Sequence, residues 1–344
     1  MSKLWAITSY FNPAGFARRL ANYRIFRERL GVPLATAELS FGNGFALDDS
    51  DADVILRFRG EHVMWQKERL LNLVVKSLPE ECETVAWIDC DVIFESMDWV
   101  TNAIKALECS QLVHLYQHRV NLPKNTVLEN LGSTELPVNS EFQTPSAIYL
   151  MSQGKARDED FMRAGMPVGL QSTVGLAWAC SRKLLRRHGL YDACIIGGAD
   201  RAILGAALGR FDYGIEALRM SGKRLNHYLE WAQPFHEAVK GRVCHIPGRA
   251  FHLWHGELLN RQYESRLDIL NRYAFDPYLD ISKDDQGLWK WASDKPDLHR
   301  DLRTYFASRN EDGEDNRQVD ILHTNCPKGL SGNLPPEKAR YGRR

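Results

Sequence analysis

The chain lacks the features that mark several large protein classes. It has no CxxC pair: seven cysteines, odd in number, stand apart at 82, 90, 109, 180, 194, 244 and 326, which argues against a disulfide framework and a zinc–thiolate site. It has no excess charge of either sign, with Lys plus Arg and Asp plus Glu at 44 each, so no net field draws nucleic acid or an anionic membrane. No apolar run approaches the roughly 20 residues of a membrane-spanning helix. The start, Met1-Ser-Lys-Leu-Trp-Ala-Ile-Thr, enters strand-like chain without the charged and apolar regions of a signal peptide. These absences predict a cytoplasmic globular protein with no nucleic-acid partner and no transmembrane segment. What is present is core material: 44% of the 344 residues are hydrophobic, enough for one large or two modest domains.

The stretch around which the chain is organised is Thr84-Val-Ala-Trp-Ile-Asp89-Cys-Asp91-Val-Ile-Phe94. Val85 to Ile88 read as a strand buried on both faces, and strand side chains repeat every second residue, so Asp89 and Asp91 share one face at its end. Two carboxylates so placed repel, and a divalent cation between them is the natural remedy. An Asp-x-Asp also arises by chance in surface turns, so its meaning depends on partners elsewhere.

Before it, the sequence reads as a strand at 4–9, a turn at Tyr10-Phe-Asn-Pro-Ala-Gly15, a helix ended by Gly31, a strand carrying Glu38, a short strand at 54–58 and a helix stopped by Pro79. That alternation predicts an α/β fold with a mostly parallel sheet and flanking helices. In such sheets ligands bind beyond the carboxyl ends of the strands, where Ser9 to Asn12, Glu38 and Asp89 to Asp91 fall. After Asp91 come a helix at 99–107 and a strand at 112–116. Residues 121–168 are polar, with little periodicity, and read either as a functional loop or lid or as a surface excursion. A strand at 173–180 and a helix closed by Gly189 follow. Gly197-Gly198 then permits close approach of a ligand ahead of Asp200, although an Asp in a helix's first turn also serves as an ordinary cap. His252-Leu-Trp-His255 sets two histidines three apart, on one side of a helical turn, a spacing that suits one metal but also plain packing. Beyond Asp280 periodicity fades, and Ser308 to Arg344 reads as disordered.

Four of these segments, in this order, resemble the catalytic domain of the β-1,4-galactosyltransferase type among the GT-A glycosyltransferases. Trp65-Gln-Lys67-Glu-Arg69-Leu-Leu-Asn72 is similar to a helix whose aromatic and first basic residue contact the UDP part of the donor. Asp89-Cys-Asp91 is similar to a DxD motif whose second Asp binds manganese. Gly197-Gly198-Ala199-Asp200 resembles a Gly-Gly-Glu-Asp whose Asp is the catalytic base, and His252-Leu-Trp-His255 a Met-x-x-His that binds the metal through both ends. Over residues 3–272 the resemblance implies a GT-A (Rossmann-like) fold with an acceptor-side helical and loop region. It divides the chain into a catalytic domain at 1–280, whose halves at 1–115 and 116–280 serve nucleotide sugar and acceptor, and an extension at 281–344, partly disordered. It implies a hexosyltransferase that moves a sugar from a nucleotide-sugar donor, a UDP-sugar, to a glycan or other hydroxyl acceptor with inversion. In that reading Asp91, His255 and His252 hold Mn2+ or Mg2+, Asp200 is the base, and Tyr10, Glu38, Trp65, Lys67 and Asp89 bind the donor. Glu38 faces base or ribose, or else is a strand-end surface acid.

The departures bear on this. Ala199 stands where the family has its acceptor-binding Glu, so N-acetylglucosamine is not implied as acceptor. His252 replaces a thioether by a harder nitrogen, which broadens metal choice. Tyr10-Phe-Asn-Pro lacks the family's two arginines around the nucleotide. Competing readings are a sugar nucleotidyltransferase, which normally carries a Gly-rich basic loop after its first strand, a catalytically inactive sugar-binding relative, and a retaining transferase, since the sequence does not show on which face Asp200 lies. Nothing in the sequence sets the acceptor or the oligomeric state.

Overall fold

A computed structural model describes residues 3–313 apart from 43, 127, 129–142, 156–171 and 264. The strand–helix alternation read from the sequence is present: β1 Leu4–Phe11, α1 Ala17–Leu30, β2 Leu34–Ser40, β3 Val54–Arg59, α2 Lys67–Ser77 and β4 Thr84–Ile88. Then follow β5 Val92–Phe94, α3 Trp99–Ala106, β6 Leu112–His114, β7 His118–Asn121, β8 Gln143–Pro145, α4 Ala147–Ser152, β9 Ala177–Ser181 and α5 Arg182–His188. The chain continues through α6 Ala199–Leu208, α7 Phe211–Ala217, α8 Gly222–Val239, β10 Val243–His245, β11 Arg249–His252 and α9 Arg266–Arg272. It closes with β12 Ile281–Lys283, β13 Trp289–Trp291 and α10 Pro296–Ser308. No helix among the described residues is long and apolar enough to cross a membrane, and their six cysteines are free thiols.

The main sheet has seven strands in the order β10-β6-β9-β4-β1-β2-β3. Only β9 runs against its neighbours, β4 and β6, so the fold is α/β with a mostly parallel sheet and helices on both faces. Parity along the central strands sorts the core. Leu4, Ala6 and Tyr10 of β1 and Ala86 and Ile88 of β4 face one hydrophobic layer, under α1 and α3. Ile7, Phe11, Val85 and Trp87 face the other, under α2, α5, α6, α8 and α10. Local chemistry ends the elements where the sequence says: Gly31 closes α1 with φ 71°, Pro79 holds Leu78 extended after α2, and the Ser181 hydroxyl accepts from Leu184 N at the start of α5.

Two features differ from the sequence reading. His252 and His255 do not lie on a helix: His252 ends β11 and His255 follows in irregular chain. A second, four-stranded sheet, β5-β11-β7-β8, accounts for this. Residues 281–313 are also packed rather than appended, since Met1–Gly313 forms one compact unit. β12 and β13 form a hairpin whose Trp289 backbone exchanges two hydrogen bonds with the Gln66 side chain, at 2.8 and 3.0 Å. Helix α10 buries Leu298, Leu302, Tyr305 and Phe306 in the core. Replacing the wholly buried Leu302 with Ala should cost about 2–5 kcal/mol and lower the urea midpoint. An unchanged midpoint would show that α10 is not part of the cooperative unit.

Candidate metal centre and active-site cleft

The short ladder between β5 and β11 pairs Val92 with His252 in antiparallel register, and Leu253 N donates to Asp91 O at 2.9 Å. Backbone pairing thus carries Asp91 next to the histidines. His255 Nε2 lies 3.1 Å from Asp91 Oδ2, His252 Nε2 3.5 Å from Asp91 Oδ1, and the two Nε2 atoms 3.1 Å apart. With Asn121 Oδ1 3.2 Å from His252 Nδ1, that nitrogen donates and Nε2 keeps its lone pair. Arg261 donates an N–H to His255 Nε2 at 2.7 Å, so that atom is an acceptor too. Two facing acceptors repel unless a positive centre stands between them. Asp91 Oδ1 is buried without a hydrogen-bond partner, so the same point offers an orphaned anionic oxygen. Two neutral imidazoles and one carboxylate, with ligand atoms within 4.8 Å of one another, fit a divalent cation. A cation bound by these residues would displace the Arg261 N–H from the His255 lone pair.

The electrostatics favour this ligand state. Burial lowers His255 to about 4, with Arg261 adding to the effect, and burial lowers His252 as well. Burial alone raises the Asp91 carboxyl, but the imidazoles and Arg261 outweigh it and hold the group well below the usual range. Behind His255, Glu311 places Oε2 3.8 Å from Nδ1, too long for a hydrogen bond but with its charge toward the ring. Glu311 is buried and held by Arg19 at 2.5 Å and Arg309 at 2.6 Å.

A second charged group sits beside the first. Lys67, the first residue of α2, brings Nζ to 3.1 Å from Asp89, 3.4 Å from Asp200 and 3.5 Å from Glu68. Burial disfavours its charge, but Asp200, Asp89 and Glu68 outweigh that and hold it protonated. Burial pushes Glu68 up to about 7 and Asp89 to about 6. Asp200 is the second residue of α6, yet the helix is capped by backbone at Gly198 without a side-chain hydrogen bond, and the Asp200 carboxylate turns to Lys67. Gly197 and Gly198, at φ 88° and 96°, supply the left-handed turn that aims it. A Cβ at Gly175 would lie 2.8 Å from Asp200 Oδ2, so that backbone also needs glycine.

One cleft of about 330 Å³ gathers Trp65, Lys67, Asp89, Asp91, Asp200, His252 and His255. Trp65 forms part of its wall, stacked on Phe306 and edge-on to Phe11. Tyr10 and Glu38 are not among the cleft-lining residues. By strand parity Tyr10 packs edge-on against Tyr23 at 5.5 Å while Phe11 faces the cleft. Glu38 is buried beneath the loop after β2 and accepts from the amides of Ala46 at 2.5 Å and Leu47 at 3.3 Å. Most of the segment at 121–168 lies outside the described residues. Arg261, Arg266 and Arg309 also line the cleft. The density of Arg around 261–272 is the sequence signal that could have found Arg261.

No family model and no curated protein matches the sequence. Among solved structures, the chain is similar to glucosyl-3-phosphoglycerate synthase from Mycobacterium tuberculosis, solved with Mn2+, UDP and phosphoglyceric acid, at 14% identity over 78% of both chains, TM-score 0.38. It is similar to a mannosyltransferase from Pyrobaculum calidifontis, solved with GDP-Man and Mn2+, at 12% identity over 90% of this chain and 72% of that one, TM-score 0.35. It is also similar to 4-diphosphocytidyl-2C-methyl-D-erythritol synthase from Anaerococcus prevotii, at 13% identity over 71% and 86%, TM-score 0.31. At such scores the likeness carries no argument about activity.

Two predictions come from this geometry. Mn2+ affinity, read by calorimetry, should persist below the ordinary histidine range and be lost by the time the pH nears about 4, where protons capture the His255 lone pair; a loss already complete at the ordinary histidine value would show that the two imidazoles are not ligands held in the neutral form by burial. Glu311→Gln should weaken Mn2+ binding by about 10–100-fold, and unchanged affinity would leave Glu311 a structural strut only.

Proposed function

We propose that the protein is a metal-dependent glycosyltransferase of the GT-A kind, moving a sugar from a nucleoside-diphosphate sugar, a UDP-sugar in the first instance, to an acceptor hydroxyl with inversion. The observation that carries this reading is the meeting, in one cleft, of a three-residue cation site with an orphaned carboxylate oxygen and a carboxylate, Asp200, held by a different element. Two histidines and one carboxylate would also suit other metals. Seven Lys and Arg side chains along the same cleft match a polyanionic ligand such as a diphosphate.

A divalent cation in this set supplies positive charge to a diphosphate leaving group. The remaining work falls to the chain. Lys67 keeps Asp200 and Asp89 charge-compensated, and Arg261 offers N–H donors beside the cation site. Trp65 gives the nucleoside an aromatic wall, and Asp89 an acceptor for ribose hydroxyls. Asp200 takes the proton of the attacking hydroxyl as the new bond from acceptor oxygen to anomeric carbon forms, and the old bond breaks with its electron pair leaving on the diphosphate. A base drawn from α6, apart from the β4–β5 and β11 segments that hold the cation, suits direct displacement and hence inversion.

Incubation with Mn2+ and a panel of nucleotide sugars should release nucleoside diphosphate, and NMR of the product should show the inverted anomer. Release of pyrophosphate from a nucleoside triphosphate and a sugar phosphate would instead identify a nucleotidyltransferase, and no donor binding at all would end the transferase reading. Asp200→Asn should lower kcat by about 10²–10⁴-fold with donor affinity unchanged within about twofold; loss of donor binding would make Asp200 a structural residue.

A further inference from the structure

The cleft holds more positive charge than a donor diphosphate can use. Against its seven basic side chains stand three lining carboxylates, Asp89, Asp91 and Asp200, and two buried ones behind the wall, Glu68 and Glu311. A divalent cation widens the surplus, and a nucleoside-diphosphate ester removes two charges of it. The surplus has a location. Among the described residues, no carboxylate pairs with Arg119, Arg261 or Arg266, and the Nε of each is buried without a hydrogen-bond partner. Their partners are neutral: Arg119 donates to Thr144 Oγ1 at 3.2 Å, Arg261 to Tyr263 Oη at 3.1 Å and Arg266 to Tyr305 Oη at 2.7 Å. Arg266 also lies against the Tyr263 and Tyr305 rings, at 5.0 and 5.8 Å. Burial raises the Tyr263 hydroxyl, yet Arg261, Arg266 and Arg309 together hold it below its ordinary value, a sign of the positive potential they create. Buried guanidinium groups are costly to keep unless an anion or carbonyl oxygens meet them; Arg182 and Arg224, buried elsewhere, donate to backbone carbonyls.

Arg261 and Arg266 both meet Tyr263 but face different groups beyond it. Arg261 touches His255 and so belongs beside the cation and the donor phosphates. Arg266 reaches the glycine turn, next to Trp65: a Cβ on Gly197 would fall 3.5 Å from its NH1, and one on Gly198 3.9 Å from its NH2. Those glycines form the turn that aims Asp200, where the acceptor hydroxyl must enter. We propose that the acceptor carries an anionic group, a phosphate or carboxylate, and that Arg266 is its recognition residue. This rests on the transferase reading for placing the acceptor at that turn. The planar fork of Arg266 suits bidentate capture of either anion, and the neutral phenols around it hold the fork without cancelling its charge.

The test uses the full chain saturated with Mn2+ and UDP, titrated by calorimetry with glycerol, glycerol 3-phosphate and glycerate, one scaffold with no anion, a phosphate or a carboxylate. At least one anionic probe should bind tenfold or more tightly than glycerol, and the two anionic arms tell phosphate from carboxylate. Arg266→Gln should remove most of that gain while UDP affinity stays within twofold, and Arg266→Lys, which keeps the charge but not the fork, should restore part of it. Equal binding of all three probes by the wild type overturns the proposal without need of a variant. So does an Arg266→Gln protein that loses UDP rather than the anionic probe, since Arg266 then serves the donor. Failure of the wild type to bind UDP with Mn2+ overturns the transferase reading itself, and this inference with it.

Discussion

The three-residue antiparallel ladder between β5 and β11 is the constraint on which the candidate site depends. The central sheet delivers Asp91 to the end of β4 but places no histidine near it. Pairing of Val92 with His252 closes the gap with backbone hydrogen bonds, and the turn after β11 brings His255 back over the same carboxylate. A backbone ladder fixes positions to within a few tenths of an ångström at no cost in side-chain freedom, which a cation site assembled from distant segments requires. Loss of that ladder would leave the main sheet whole and the ligands scattered.

Charge is the second organising theme. The cleft concentrates ionisable groups in linked sets: Lys67 among Asp89, Asp200 and Glu68, and Glu311 between Arg19 and Arg309 while facing His255. Each set is stable because buried charges of opposite sign lie within hydrogen-bond or near-contact distance. Arg119, Arg261 and Arg266 stand outside this pattern, and their placement separates the parts of the cleft that are internally balanced from the part that is not.

Much of the fold was legible because burial on both faces leaves continuous apolar strands, and because Gly31, Pro79, Ser181 and Gly189 punctuate the helices by mechanisms that act locally. The site was legible where a motif sits on such an element: Lys67 at the start of α2, Asp91 after β4, Asp200 after the glycine pair. It was not legible where parity or tertiary demand decides. Tyr10 and Phe11 are adjacent aromatics, and only the register of β1 says that Phe11 faces the cleft. Glu38 has the composition of a ligand contact, but the amides of Ala46 and Leu47 needed an acceptor. The two histidines are three apart, which fits a helix, yet they meet through a strand end and a turn. Residues 309–313 carry no apolar periodicity because they are fixed by ion pairs, and periodicity is blind to those.

The ion pair between Arg19 and Glu311 joins groups 292 residues apart in sequence. Closing so long a loop costs chain entropy that local contacts cannot repay in advance, and during synthesis Glu311 leaves the ribosome after every other group named at the metal centre. The carboxylate that faces His255 arrives last, a few residues after α10 has supplied the final part of the main core. The wall of the metal centre and the last piece of the core are therefore completed together, at the very end of the folding unit.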